Sequence, residues 1–340
     1  CLRSKICFFL CVELLIQALL RLERSLFQDV LYLFLHFVKD QLQKWIASKS
    51  VLERGQLGPP RATLPAALLD ELCLFWERIF ATSYDEFRPA LGGAEAEHNR
   101  DVVWVMREEA ELAGTCHLTT VRRDPALGGL GEVATVETFR RRGIARELCG
   151  LARNEFRQLG GHALFLGTGN PEAARVYHRL GWRKLAGTNV MALIVGGETP
   201  ERSLAEFFQP GGTVVVDAMT PAARIPMIPL LVSPHDEVML DANAGMVSTK
   251  FAVQHSCMGL FPRYDRLTRC GWGAAFCART HEDRLVGLAT AKVDDSDLCA
   301  VDGFVHRSCV ESWEGLIRAA LDWGSGAGAT GFSADVAVAD

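Results

Sequence analysis

The chain has 340 residues, of which 49% are hydrophobic and 23% charged, and a formal net charge of −5. This composition excludes a disordered chain, and the length provides for two domains, each large enough to bury a core. The acidic balance disfavours nucleic acid as a partner, because phosphate binding needs clustered Lys and Arg.

Residues 1–50 differ from the rest. Ile6–Val12 and Leu31–Val38 are strongly apolar, but Glu13, Gln17, Arg21, Glu23, Arg24 and Asp29 break the pattern. The runs stop well short of the ~20 apolar residues that span a membrane. Arg3 and Lys5 give the basic start of a signal peptide, and no small-residue cleavage site follows. The segment reads as one or two apolar helices: a membrane-associating leader, a partner surface, or sequence foreign to the mature protein. Cys1 at the start and the strand-like Phe332–Asp340 at the end read as marks of a fragment. The 11 cysteines are odd in number, and none has C-x-x-C spacing. Several stand in apolar runs, as in Leu148-Cys149 and Phe276-Cys277, and read as small buried hydrophobes of a reducing, cytoplasmic compartment.

The Gly/Pro-rich run 55–63 marks a boundary. Leu64–Ala81 then carries Leu68, Leu69, Leu72, Phe75, Trp76 and Ile79 at helical spacing. Gly92-Gly93 sits in a polar loop. Asp101–Glu108 and Glu111–Val121 alternate and read as a hairpin joined at 109–110. Gly128-Gly129-Leu130-Gly131 reads as a turn, and Glu132–Val136 as a third short strand. Arg146–Leu159 is an amphipathic helix ended by Gly160-Gly161. Ala163–Leu166 is a strand. Pro171–Leu180 is a helix with Asn170 at its N-cap and Gly181 as its stop. Trp182–Val195 supplies closing strands. This order predicts an α/β fold of the α+β type: a mixed, mostly antiparallel sheet with helices on both faces. The expected units are the leader 1–50, a domain at 60–195 and a second at 200–340.

The run Val133-Ala134-Thr135-Val136-Glu137-Thr138-Phe139-Arg140-Arg141-Arg142-Gly143-Ile144-Ala145 takes a strand through a basic turn directly into a helix. Gly143 removes a side chain where backbone must approach a ligand. The first amides of the helix lack intrahelical partners, and the helix dipole adds positive potential, which suits a pyrophosphate. Alone, R-x-x-G-x-A reads as readily as a solvated cap. A second pattern follows: Asn170-Pro-Glu-Ala173-Ala-Arg-Val-Tyr177-His-Arg-Leu-Gly181-Trp182.

With these two motifs in order on a strand–helix–strand–helix frame, residues 64–195 resemble the GNAT superfamily of N-acetyltransferases. Arg140, Gly143 and Ala145 match its Q/R-x-x-G-x-G/A signature. Asn170, Ala173, Tyr177 and Gly181-Trp182 match its downstream N-x-x-A/S-x-x-x-Y-x-x-x-G-F/W pattern. The resemblance implies acetyl-CoA as co-substrate, no metal, and direct attack by a neutral amine in a ternary complex. Backbone groups of Val133, Ala134 and Thr135 would pair with the pantetheine arm. Arg140 and the amides of Arg141, Arg142, Gly143, Ile144, Ala145 and Arg146 would hold the pyrophosphate. Asn170 and Ala173 would meet the cofactor arm. A β-bulge usually splays this strand from the next to admit the thioester. Tyr177 would protonate the departing thiolate, although beside Val176 and Leu180 it reads equally as a core residue. Asn170 reads equally as a pure N-cap.

The general base stays open among three residues. Glu132, at the start of the cofactor strand, is the first candidate. Glu137, where many relatives have Pro, and His117 on the hairpin are the others; strand alternation cannot choose among them across a bulge.

The second half repeats the order of elements. Arg284-Leu-Val-Gly287 through Val293 parallels Glu111-Leu-Ala-Gly114 through Val121, Cys299–Phe304 parallels the strand before the cradle, Ser312–Trp323 the following helix, and Gly331–Val338 the next strand. His306–Trp313 contains no R-x-x-G-x-A, so the expectation is a tandem whose second, incomplete copy lacks the cradle. The leading function is N-acetylation of a small-molecule or peptide amine. A non-catalytic acyl-CoA-binding or regulatory module and a membrane-associated adaptor built on residues 1–50 are the alternatives.

Overall fold

The computed structural model describes residues 64–108, 110–209, 212–253 and 258–334, with the backbone of 54–57. The first sheet is laid down by β1 (Arg54–Leu57), β2 (Asn99–Glu108), β3 (Glu111–Val121), β4 (Leu127–Thr135), β5 (Ala163–Gly167), β6 (Arg183–Lys184) and β7 (Val190–Ile194). Its strand order is β1-β2-β3-β4-β5-β7-β6. Every neighbouring pair is antiparallel except β4–β5. A parallel pair needs a crossover, and helix α2 (Ile144–Gln158) supplies it.

Helices cover both faces of this sheet. Helix α1 (Ala66–Phe80) buries Leu69, Leu72, Phe75 and Trp76 against Val103, Val105, Leu112 and Ala134. Helix α2 buries Ile144, Leu148, Cys149, Ala152 and Phe156, one stripe at helical spacing, on the other face. The glycines of that face admit it closely: a Cβ on Gly114 would lie 2.6 Å from Ile144 Cγ2, and one on Gly128 2.8 Å from Phe156 Cε2. Helix α3 (Pro171–Leu180) packs beside α2. Asn170 caps it by accepting from the amides of Glu172 and Ala173, and Gly181 ends it at φ +113°.

After helix α4 (Pro200–Phe207), a second sheet follows. It contains β8 (Val214–Ala218), β11 (Gly273–Thr280), β12 (Leu285–Val293), β13 (Leu298–Val305) and β14 (Gly331–Ser333), in the order β14-β13-β12-β11-β8. Again only the last pair, β13–β14, is parallel, and helix α7 (Trp313–Gly326) makes the crossover. The second sheet thus repeats β1–β5 strand for strand. Between β8 and β11 lie helix α5 (Met227–Val232), the short hairpin β9 (Met239–Asp241) and β10 (Met246–Val247), and helix α6 (Phe261–Arg269).

Helix α5 belongs to two cores. Ile228 and Val232 join Phe165, Val190 and Ala192 of the first sheet, while Met227, Leu230 and Leu231 join Leu288, Phe304 and Tyr264 of the second. At roughly 1.5–3 kcal/mol per buried apolar side chain, this helix binds the two sheets together.

The largest departure from the sequence reading is at 128–131. Those residues form no turn; they are the first part of β4, which runs from Leu127 to Thr135. Their glycines serve close packing on both faces. A Cβ on Gly129 would lie 2.3 Å from Met258 Sδ, a residue far away in the chain. Gly92-Gly93 lies in a single π-helical turn, Ala90–Ala94, rather than a loop. The boundary run 55–63 gives its first three residues to β1, paired with Val105, Trp104 and Val103. Helix α2 starts at Ile144, two residues before the expected Arg146. The leader 1–50, residues 58–63, Cys257 and the tail 335–340 lie outside the described residues. Among the described residues no helix is long and apolar enough to cross a membrane.

Candidate active site

The site begins with a fault in the β3–β4 ladder. Thr115 pairs with Ala134 and His117 with Gly131, so Glu132 and Val133 together stand opposite Cys116. This is a β-bulge, and Glu132 takes the left-handed conformation, φ +47°. For a residue with a Cβ this costs about 1–2 kcal/mol.

Side chains hold it there. The Glu132 carbonyl accepts from Thr115 Oγ1 at 2.7 Å, and that hydroxyl accepts from Trp76 Nε1 at 2.8 Å. The Glu132 carboxylate lies 2.7 Å from His117 Nδ1. Burial pushes the Tyr84 hydroxyl well up, and the charge of Glu132 adds to the rise. His117 Nε2 lies 2.7 Å from Asp101 Oδ1, which accepts from Thr119 Oγ1 at 2.6 Å. Burial alone would lower the His117 pKa, but hydrogen bonds and charge from Asp101 and Glu132 raise it to about 9. Burial likewise pushes the Asp101 carboxyl up. The His117 hydrogen bond and charge, Thr119 and the charge of Arg224 outweigh it and hold Asp101 below its usual range. With both ring nitrogens facing carboxylates, the imidazole is an imidazolium at neutral pH. Each charged hydrogen bond is worth roughly 1.5–3 kcal/mol, more than the strain at Glu132.

Beyond the bulge the sheet opens. Strand β4 pairs with β5 only at Leu127, Gly128 and Gly129. The last residues of β5, Leu166 and Gly167, pair with Met191 and Val190 of β7, while β4 runs on to Thr135. Thr135 Oγ1 is buried there without a hydrogen-bond partner. Ala134 is buried among the α1 side chains, and Val133 is half-buried.

Strand β4 leads through a short 3₁₀ turn, Glu137–Phe139, to the basic turn. Arg141 (φ +64°) and Gly143 (φ +88°) are both left-handed, and Gly143 is the N-cap of α2. The first bond of the helix runs from Glu147 N–H to the Gly143 carbonyl at 3.0 Å, so the amides of Ile144, Ala145 and Arg146 precede the ladder. Arg140, Arg141, Arg142 and Arg146 are exposed. Arg142 is paired with Glu108 at 2.8 Å, its guanidinium 5.1 Å from the Phe139 ring centroid. A Cβ on Gly143 would meet nothing within 4 Å, so the space above the turn is open. An orphaned buried hydroxyl, an open strand edge and an unencumbered helix N-terminus fit an extended, pyrophosphate-bearing molecule such as acetyl-CoA.

Asn170 Oδ1 accepts from Glu172 N at 2.8 Å and Ala173 N at 3.3 Å, so its capping role is real and uses the oxygen alone. Tyr177 is buried, its ring 6.3 Å from that of Trp182. Burial raises the hydroxyl well above its ordinary value, and nearby Cys149 and Cys116 raise it further. Cys116 is the residue opposite the bulge. Of the three base candidates, Glu132 and His117 are brought together; Glu137 is exposed on the 3₁₀ turn and stands apart from them.

The sequence reading missed Asp101, Thr115, Tyr84 and Arg224 as members of this network. The alternation of β2 and β3 could have placed Asp101 on the His117 face. Nothing local signals Arg224, which arrives from the second half.

The sequence model of the acetyltransferase (GNAT) family matches residues 66–182. No curated protein matches the chain. Solved structures similar to it include an acetyltransferase of the GNAT family from Desulfovibrio desulfuricans, at 16% identity and TM-score 0.33, covering 42% of this chain and 99% of that one. The Escherichia coli GNAT family N-acetyltransferase YhbS, solved in complex with CoA, gives 18% identity and TM-score 0.32, covering 42% and 81%. A tandem GNAT protein from the clavulanic acid biosynthesis pathway gives 13% identity and TM-score 0.33, covering 80% and 85%. The family match at residues 66–182 spans the bulged strand, the basic turn and the helix that follows it.

Proposed function

We propose that the chain is an acetyl-CoA-dependent N-acetyltransferase that transfers the acetyl group to a small-molecule or peptide amine by direct attack in a ternary complex. One observation carries this reading: the free edge of β4 from Leu130 to Thr135 runs, past a bulge, into the left-handed Gly143 turn at the N-terminus of α2. Backbone groups of Val133, Ala134 and Thr135 bind the pantetheine arm as a further strand. The amides of Arg141 to Arg146, with Arg140, hold the pyrophosphate. Asn170 and Ala173, at the start of α3, border the same arm. The bound co-substrate supplies the activated acyl group.

The protein moves two protons. Glu132 takes one from the acceptor nitrogen as attack proceeds. Tyr177, kept neutral by its burial, gives one to the leaving sulfur.

The division into a catalytic domain at 60–195 and a second copy at 200–340 belongs to this proposal. So does a cytoplasmic location, to which the free thiols of Cys73, Cys116, Cys149, Cys270, Cys277, Cys299 and Cys309 are suited. A second reading, cofactor binding without chemistry, is favoured by one fact: the Glu132 side chain is 8% exposed and already hydrogen-bonded to His117. Release of free thiol from acetyl-CoA across a panel of amines decides between them. Amine-dependent release is expected; coenzyme A binding with no release from any amine would overturn catalysis in favour of the binding module.

A further inference from the structure

We propose that Asp101 and His117 are positioning residues: a buried ionic chain running from β2 through β3 holds Glu132 in its left-handed bulge, and so sets the face and register of the cofactor strand. The inference rests on the cofactor reading above and concerns how that site is kept open.

The bulge is what sets the register. It inserts one residue between Gly131 and Ala134. If Glu132 relaxed to an ordinary strand conformation, β4 would slip by one residue against β3. A slip of one residue exchanges the faces of every side chain beyond it. Thr135 would leave the Gly114 face, and the backbone groups of Val133 and Thr135 would turn from the open edge.

A glycine would adopt φ +47° without strain, yet the sequence places a glutamate there. The side chain explains the choice. Its carboxylate is gripped by His117 Nδ1 at 2.7 Å, and His117 is gripped in turn by Asp101 at 2.7 Å. A separate buried ion pair reaches the start of β2 from the second half. Arg224, its side chain 4% exposed, forks onto Glu95, with Nε 2.8 Å from Oε2. Its guanidinium lies 5.8 Å from the Phe87 ring and 4.9 Å from the Phe261 ring. Its charge helps hold the Asp101 carboxyl down. Asn99 ties the same Glu95 to the Pro221 carbonyl, at 3.0 and 2.9 Å.

The groups facing His117 are Asp101 from β2 and Glu132 from β4, with the Thr119 hydroxyl on its own strand. Two carboxylates share this one cation. Its removal leaves them buried without a partner charge, and Glu132 is the one that can escape by releasing its strained backbone.

The test exploits glycine. His117→Gln and Asp101→Ala are each made alone and in a Glu132→Gly background, where no clamp is needed. Coenzyme A affinity is measured by calorimetry, and hydrogen exchange is followed at the amides of 132–135. Near-ultraviolet circular dichroism checks that each variant is folded. Each clamp variant should weaken coenzyme A binding tenfold or more and speed exchange at 132–135 when Glu132 is present. Both effects should shrink to twofold or less in the Glu132→Gly background, whose own affinity stays within about threefold of wild type. Equal losses in both backgrounds, or unchanged affinity and exchange with Glu132 present, would overturn the proposal. If the wild-type chain binds no coenzyme A, the cofactor reading falls instead, and exchange alone then decides whether the clamp holds the strand. Should His117→Gln fail to fold, Asp101→Ala carries the same comparison.

Discussion

The strands β1–β5 and the strands β8, β11, β12, β13 and β14 are laid down in the same order with the same directions, yet the third and fourth strands are bulged against each other only in the first set. Gly114 and Gly287 hold matching places, each opposite the last residue of the following strand, Thr135 and Val305. Each admits the crossover helix: a Cβ would lie 2.6 Å from Ile144 Cγ2 in one case and 2.7 Å from Leu316 Cδ1 in the other. Three residues on, the copies diverge. The first has His117, clamped to Glu132 in a bulge. The second has Thr290, hydrogen-bonded to the buried Asp241 at 2.9 Å, and β12–β13 pair without a shift from Gly287 to Val293. The first crossover helix starts at Gly143, φ +88°, under open space; the second starts at Ser312, φ −80°, whose hydroxyl is tied to the Cys309 carbonyl at 2.7 Å. The frame is thus independent of the cradle. A bulge and one left-handed cap separate the sheet to which we assign the cofactor from the sheet to which we assign none.

Four experiments bear on this contrast. The largest expected effect is on chemistry: Tyr177→Phe should lower kcat about 100-fold or more and leave the KM for acetyl-CoA nearly unchanged, because it removes a proton donor and no binding group. Steady-state thiol release reads this directly, and an unchanged kcat would remove Tyr177 from the mechanism. Next come the two matched glycines. Gly114→Ala and Gly287→Ala should each cost about 1–3 kcal/mol in denaturant unfolding. Gly114 should cost more, since its new methyl also meets the Ala134 carbonyl at 2.9 Å, whereas the nearest backbone atom at Gly287 is the Phe304 carbonyl at 3.2 Å. If one proves neutral, the two frames are not equivalent.

The smaller effects concern pH. Folding raises His117 from 6.5 to about 9, so its contribution is full below pH 6.5 and disappears as the pH climbs through 9. Stability of the wild-type chain should fall across that window, and His117→Gln should flatten the fall. In the second copy, burial raises the Asp241 carboxyl from 3.8 to about 7, against hydrogen bonds from Ala244 and Thr290 and with Asp302 adding to the rise. An acid whose pKa is raised by folding stabilises least once it is ionised, above pH 7. Asp241→Asn should therefore raise Tm by roughly 4 °C at pH 8, about 1 kcal/mol, and change little at pH 4. A uniform shift at both values would assign the effect to packing.

Much of the site could be read along the chain because its signals are local. Asn170, Pro171 and Gly181 delimit α3 to the residue, since cap, first-turn proline and left-handed stop are each set by immediate neighbours. Arg140–Ala145 likewise announced a strand–turn–helix junction. Gly128–Gly131 misled because glycine marks both turns and close packing, and the partner that decides, Met258, lies on another element. The clamp was illegible for a similar reason. Asp101, His117 and Glu132 meet only once the bulge sets the register.

The central claim is that the chain holds one cofactor cradle, at Gly143, and none at Ser312. Calorimetric titration with coenzyme A tests it: one site per chain is predicted, abolished by Gly143→Val and unaffected by Ser312→Ala. Two sites per chain, or one site that survives Gly143→Val and is lost in Ser312→Ala, would contradict it.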